Sequence, residues 1–377
     1  MRILYFSRAY TTHDRRFLEA IAARHEVWYL RLEDDAVSYE ARPVPRGVRV
    51  MEPLAAGVRI SNPEDYLSIV PAFEAALARA RPDMVHAGPI QSCAFLAAQA
   101  GFHPLLAISW GSDLLVDAHR DDNWNRSTRF ALQHSDMLAT DCDEVSEAAH
   151  RVAGVGRERI VQFPWGVDID AFGPGTDRLE LRCKLGWEEC AVAISTRSWE
   201  SVYGVLPLLE SFSAAHYSQP RLRLILAGDG SLRPDVERLI SAGGLERAVW
   251  LPGAVPNDQL PDYFRAADFY VSFARSDGSS ISLLEAMATG LPVIATDRAS
   301  NREWIAAPSS GVLVPSGDTR AMAAALLAMA NLSGSRRREI AACNRAIAGN
   351  RADWRRNVSK LLAAYEVLAP HAGQVKS

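Results

Sequence analysis

The tightest constraint on this chain's fold is a rhythm of short apolar runs and helical stretches, repeated along almost its whole length. Segments 3–6, 27–32, 84–86, 105–109, 137–140 and 160–163 read as buried strands. Segments 13–25, 69–80, 94–100 and 145–153 between them have helical composition. The rhythm pauses at Phe172-Gly173-Pro174-Gly175-Thr176, where glycine and proline read as a linker, and then restarts. Strand-like runs follow at 191–195, 223–227, 248–251, 269–273, 292–296 and 311–314, with helical stretches at 206–216, 234–242, 258–267, 282–289 and 319–331. Alternation of this kind predicts parallel sheets covered by helices. The expected architecture is α/β, with two Rossmann-like doubly wound domains whose C-terminal strand edges face a shared cleft, where such folds bind ligands. The expected boundaries are 1–172 for an N-terminal domain, 173–350 for a C-terminal domain and 351–377 for a C-terminal helix. The last apolar-periodic stretch, 353–368, is a long helix whose sheet the sequence leaves open, a return to the N-terminal domain being one option.

A length of 377 residues suits about two domains. With 48% apolar and 23% charged residues the chain is neither disordered nor fibrous nor a disulfide scaffold. The balance of 41 basic against 45 acidic residues lacks the basic excess of a nucleic-acid binder. Five scattered cysteines, Cys93, Cys142, Cys183, Cys190 and Cys343, form no C-x-x-C, and they read as free thiols of a reducing cytoplasm. The opening residues are too brief an apolar run for a signal peptide. No stretch approaches the ~18 apolar residues of a membrane span. The location expected is the cytoplasm, with peripheral contact at the inner membrane face left open. Oligomeric state is not legible. Only Lys184, Lys360 and Lys376 are lysines. Between Lys184 and Lys360, any side-chain cation that meets a phosphate is therefore arginine or histidine.

Most of the chemistry lies in residues 274–295. A strand ends near Phe273, a Gly/Ser loop follows, and a helix opens near Ser282. Backbone N–H groups and the helix dipole make an anion site there. Asp277 at the start of the loop and Glu285, placed by this reading within the first helical turn, can accept hydrogen bonds from hydroxyls while the loop amides hold phosphate. That combination suits a sugar nucleotide. The bland alternative is a solvated Asp277 and a Glu285 that merely favours a helix N-terminus.

This segment resembles the E-x7-E region of retaining GT-B glycosyltransferases of family 4, with Asp277 at the first acid, Glu285 at the second and the stretch from Ala286 to Ala295 matching the tail of the motif. Four further resemblances follow the family's order. Residues 163–172 (FPWGVDIDAF) resemble its P-N-G-V-D-x-x-x-F link, with Trp165 replacing Asn. Residues 227–233 (AGDGSLR) resemble G-x-G-x-L-R. Residues 251–255 and 260–268 resemble the nucleobase-side strand and helix, and 311–318 closes the set. The resemblance implies that Glu285 holds the ribose hydroxyls and Asp277 contacts the donor sugar. It also implies that Gly278, Ser279, Ser280, Ile281 and Ser282 hold sugar hydroxyls or phosphate, with Gly230 and Val255 on the nucleotide.

The family's cation pair is an arginine followed by a lysine. Arg197 fits the first, and Tyr203 stands where the lysine is expected. A guanidinium can grip phosphate bidentately, so Arg197 and the helix N-terminus can share the task. In the N-terminal half, His13, Arg15 and Arg16 precede or open a helix and are candidates for acceptor contact, the alternative being a helix cap with solvated charge. Trp110 occupies the place of the family's histidine in a His-Gly-x-Asp pattern that ends here at Asp113, and both are assigned to the acceptor. His86 could face the cleft as a catalytic group, although a lone strand-end histidine is more often structural. Neither Asp141-Cys142-Asp143 nor Asp168-Ile169-Asp170 sits in a Gly-rich loop, so no metal is expected. The resemblance thus implies a metal-independent retaining transfer from a nucleotide sugar, most simply a UDP-sugar, to a glycan, lipid-linked or small-molecule hydroxyl. No cofactor is required beyond that co-substrate. A UDP-sugar 2-epimerase and a non-catalytic sugar-nucleotide-binding subunit are the alternatives.

Overall fold

The computed structural model describes residues 1–33, 40–55, 62–175 and 178–369. Thr176 of the Gly/Pro stretch and residues 370–377 of the expected C-terminal segment lie outside them. The chain forms two compact units: Met1–Pro164 with Arg356–Ser377, and Trp165–Arg355.

The first unit is built on a parallel sheet of β1 (Arg2–Ser7), β2 (Glu26–Arg31), β3 (Val48–Val50), β4 (Met84–Gly88), β5 (Leu105–Ile108), β6 (Met137–Thr140) and β7 (Ile160–Gln162). Their spatial order is β3-β2-β1-β4-β5-β6-β7. The central strands are mostly apolar because helices cover both faces, so regular alternation with polar residues would strand polar groups in the core. Accordingly β4 and β5 are buried at every position. The second unit repeats the plan with β8 (Ala191–Ser195), β9 (Leu222–Ala227), β10 (Val249–Gly253), β11 (Phe269–Ser272), β12 (Val293–Thr296) and β13 (Gly311–Val314), in the order β10-β9-β8-β11-β12-β13. In each sheet the order reverses once, between β1 and β4 and between β8 and β11. Crossover connections leave in opposite directions at that point, so loops at the carboxyl ends part and leave a crevice.

Most expected elements appear within a residue or two. Elements that did not figure in the sequence reading include the edge strand Val48–Val50 and the helices Asp122–Gln133, Arg178–Leu185 and Gly334–Arg351. The last of these packs on the helix Ile281–Thr289 although few of its residues are apolar. Its buried Asn344 donates to the carbonyls of Leu291 and Ser310 at 2.7 and 2.9 Å. Asn344 thus docks the helix together with the buried Ile340 and Ala348 one turn to either side. The Gly/Pro stretch is not where the units divide. Val167 and Phe172 are buried in the core of the second unit, and Arg265 donates to the carbonyls of Gly173 and Ala171. The division falls at Pro164, before Gly166, whose φ of +69° lets the backbone run against Ala352. A Cβ there would come 2.5 Å from the Ala352 carbonyl oxygen.

Candidate functional site

In the second unit, the switch point brings together the loops that follow β8 and β11. Arg197 lies two residues beyond β8, and its guanidinium is mostly buried. Its Nη1 donates to Ser280 Oγ at 2.8 Å and to Ser282 Oγ at 3.3 Å. Its Nη2 stands 2.8 Å from Asp277 Oδ2. The side chains of the pair are 13% and 19% exposed, so this is not a solvated surface contact. The hydroxyl chain continues to Tyr270 on β11, whose OH lies 2.7 Å from Ser282 Oγ. Burial raises the Asp277 carboxyl above the usual carboxylate range, against the opposing pull of Arg197, the Ser280 hydroxyl and the Gly278 amide. Burial works against the charge on Arg197, but Asp277 more than restores it. The pair is thus held in a poorly solvated place, where the guanidinium opposes the burial that pushes the carboxyl up.

The helix Ile281–Thr289 begins directly after this loop, and Ser282 through Thr289 are all buried. By geometry its leading N–H groups have no partner within the helix. Glu285 lies one residue beyond the first turn, which corrects the expectation that it sits within it; no acidic residue occupies that turn. Glu285 is 5% exposed. It accepts from Asn257 Nδ2 at 3.2 Å. Asn257 is a site residue the sequence reading missed, because 28 positions of chain separate it from Glu285 and no motif links them. Val255 is half-buried two residues earlier in the same loop. Ser279 accepts from Trp304 Nε1 at 3.3 Å, and Ser300 donates to the Asp277 carbonyl at 3.1 Å. The side chains of Ser279, Ser280 and Ser282 are therefore engaged in shaping the loop.

Gly230 is required by space. A Cβ there would meet Trp199 O at 2.6 Å and Glu200 Oε1 at 2.7 Å. The loop that carries it is clasped to the Arg197 loop by Trp199 N donating to Asp229 O at 2.9 Å and Leu232 N donating to Trp199 O at 3.0 Å.

In the first unit the expected residues separate into two groups. His13 and Trp110 are half-buried with ring centroids 5.6 Å apart, and Trp110 meets Phe17 edge-on. Arg15 pairs with Glu19 at 3.2 Å, one helical turn away, and Arg16 is half-buried on the same helix. Asp113 and His86 are not available to a substrate, which corrects both assignments. Asp113 is 2% exposed. Its carboxylate accepts from Ser109 Oγ and from the amides of Ile90, Trp110 and Leu114, so it organises the turn after β5. Burial pushes it up to about 6. His86 is fully enclosed. Its Nδ1 lies 2.5 Å from Tyr365 OH, Tyr5 packs on it at 4.9 Å, and burial lowers it to about 3. A position in the middle of the sheet, covered by the helices Thr12–Ala22 and Trp354–Leu368, leaves it no path to solvent.

Among the described residues, no group of three or more His, Cys, Asp or Glu side chains could hold a metal ion. Asp168 Oδ1 accepts from the amides of Asp170 and Ala171, each at 3.1 Å, and Asp170 pairs with Arg355 at 2.7 Å. Those carboxylates serve a turn. Among the described residues no helix is long and apolar enough to cross a membrane.

The model of group 1 glycosyl transferases matches residues 190–331, and that of glycosyl transferase 4-like proteins matches residues 2–141. A phosphatidyl-myo-inositol mannosyltransferase of Mycobacterium leprae is 31% identical over 236 residues, which are 62% of this chain and 60% of that protein. A D-inositol 3-phosphate glycosyltransferase of Xylanimonas cellulosilytica is 30% identical over 241 residues, 61% of this chain and 57% of that protein. The chain thus spans less than two thirds of the length of these relatives. Among solved structures, Anabaena HepE in complex with UDP superposes with a TM-score of 0.78 at 18% identity, covering 98% of this chain and all of that one. Sucrose-phosphate synthase from Thermosynechococcus elongatus gives 0.81 at 19% identity, with the same coverage. The shared feature is the fold: two parallel-sheet α/β domains of the GT-B type. The chain thus carries a glycosyl transferase 4-like domain in its first half and a group 1 glycosyl transferase domain in its second.

Proposed function

We propose that the protein transfers a sugar from a nucleoside diphosphate sugar, UDP being the expected nucleotide, to a hydroxyl acceptor, with retention at the anomeric carbon and without a metal. One observation carries the reading: Arg197, the opening of the helix Ile281–Thr289 and the buried Glu285 converge at the carboxyl ends of β8 and β11. A cation and a helix N-terminus suit a diphosphate, and a carboxylate one turn along suits the ribose diol. Structural neighbours whose crystals hold UDP or UDP-glucose support this choice of nucleotide.

In this reading Arg197 and the leading amides of the helix stabilise the departing diphosphate, which is where negative charge develops. Asp277 stands beside the sugar and offsets positive charge at the anomeric carbon. The leaving phosphate oxygen receives the acceptor's proton on the same face, so no separate general base is needed and configuration is retained. On the first unit, His13, Trp110 and Arg16 form the acceptor side. Trp110 offers an aromatic face and an indole N–H in place of the histidine of the family pattern.

The test is a panel of UDP-, GDP- and ADP-sugars with hydroxyl acceptors, read by mass spectrometry with and without EDTA. The expected result is transfer from one donor class that survives EDTA within about twofold, equivalent to ~0.4 kcal/mol in barrier. Loss of activity in EDTA with recovery on adding Mg or Mn would overturn the metal-independent reading.

A further inference from the structure

Tyr203 occupies the position where the resemblance leads one to expect a second phosphate-binding cation, and its ring is packed against the first. The guanidinium carbon of Arg197 lies 4.1 Å from the Tyr203 ring centroid, well within the range of cation–π attraction. The short loop that presents the ring is pinned on all sides. Tyr203 N donates to Glu200 O at 2.9 Å, and Arg275 N donates to Val202 O at 2.7 Å. Glu200 in turn accepts from Ser231 N at 2.8 Å and from Ser231 Oγ at 2.5 Å. Gly204, with φ +68°, follows at once, and a Cβ there would come 2.1 Å from the Phe273 carbonyl oxygen. The loop therefore runs flush against the end of β11. Arg197 is held at its nitrogens by Asp277, Ser280 and Ser282 and against a ring by Tyr203.

We infer that Tyr203 is a positioning residue that replaces the missing second cation by fixing the first, so that the site grips a diphosphate with one oriented guanidinium fork in place of two charges. This rests on the proposed nucleoside diphosphate donor. The physical reason is that a neutral ring can lie against Arg197 without repulsion and limits its rotamers, whereas an ammonium there would share the space with a like charge. A fork that is already oriented loses less side-chain entropy when phosphate arrives. With the binding power in the geometry of Arg197, the site needs no lysine at 203.

The test is calorimetry on the full chain with UDP and with uridine as probes. Tyr203→Leu and Tyr203→Met, two apolar side chains without a π face, are each expected to weaken UDP binding about tenfold and leave uridine unchanged. Tyr203→Phe restores most of the loss. In an Arg197→Lys background, Tyr203→Leu has no further effect, because the fork it positions is gone. Unchanged UDP affinity in both truncations, equal loss for UDP and uridine, or a full tenfold loss persisting in the Arg197→Lys background would each overturn the positioning role. Failure of the wild-type chain to bind UDP, GDP or ADP is a separate result that overturns the donor reading, and this inference with it.

Discussion

Each unit of this protein holds a buried polar cluster near the strands where its sheet order reverses, and the two clusters are built to opposite ends. In the first unit Tyr5 OH donates to Asp14 Oδ1 at 2.9 Å, Ser7 Oγ lies 3.1 Å from Tyr29 OH, and His86 meets Tyr365. Asp14 also closes the cap of the helix Thr12–Ala22 by accepting from Thr11 N at 2.8 Å. Burial pushes Asp14 up to about 6 and lowers His86 to about 3, so desolvation favours the neutral form of both. No cation takes part in the bonds described for this cluster, and its effect is to tie helices to the sheet. In the second unit a cation takes part: the Arg197 guanidinium stands 2.8 Å from the Asp277 carboxyl, both partly exposed, beside the opening of a helix. A buried polar network without a cation serves architecture. One that keeps a charged, oriented fork at its margin is equipped to meet an anion. The presence of a histidine or an aspartate at a strand end does not distinguish the two, but the satisfaction and charge of its partners does.

That contrast can be broken most strongly at Arg197. Arg197→Ala is expected to reduce turnover by at least 100-fold, about 3 kcal/mol or more, because it removes the fork and leaves Asp277 buried without its counter-charge. Arg197→Lys should lose less. Steady-state kinetics with the active donor decide it, and wild-type turnover in the alanine variant would place the phosphate elsewhere.

The closed cluster predicts a pH effect on folding. His86 titrates near 6.5 in the unfolded chain and at about 3 in the folded one. Between those values the unfolded chain binds the extra proton, so this group's contribution is present above ~6.5 and lost as pH falls, by up to about 1.4 kcal/mol per pH unit. Asp14 and Asp113, raised to about 6, act in the opposite sense: their protonated folded forms favour stability at low pH, and that share is lost as pH rises towards 6. Denaturant melts of wild type and His86→Phe from pH 4 to 7 separate the terms. The variant should lose stability less steeply on acidification, and parallel slopes would refute the assignment.

Smaller effects sharpen the open cluster. Glu285→Ala should weaken UDP binding by about 1–3 kcal/mol, through lost charge-assisted bonds to hydroxyls, as read by calorimetry. Asn257→Ala should cost about 0.5–1.5 kcal/mol in the same measurement, since it only orients Glu285. An Asn257 effect as large as that of Glu285 would mean Asn257 touches the nucleotide itself.

Much of the fold is legible because parallel strands covered on both faces must be apolar runs, and β5, β11 and β12 are such runs. The edge strand Val48–Val50 is not, since an edge needs neither length nor continuous apolarity, and Val50 is half exposed. The helix Gly334–Arg351 escaped notice because Asn344 interrupts its docking face between Ile340 and Ala348, leaving no clear apolar stripe. Asp113 and His86 read as site residues for a related reason. Local pattern marks a polar group at a strand end, and only packing reveals whether it is sealed.

Within the second unit, the sequence by itself determined which groups could meet a phosphate. No lysine lies between Lys184 and Lys360, so the side-chain cation of the proposed phosphate site is an arginine or a histidine, beside a Gly/Ser loop and the helix that follows it. Which arginine, and in whose company, was decided by the sheet. Arg197 follows β8 and Asp277 follows β11, and the chain between them passes through β9 and β10. They meet because β8 and β11 are hydrogen-bonded neighbours, with Phe269 opposite Ala193 and Tyr270 opposite Ile194. Strand order is set by the joint packing of every helix against both faces of the sheet, and no local segment carries that information.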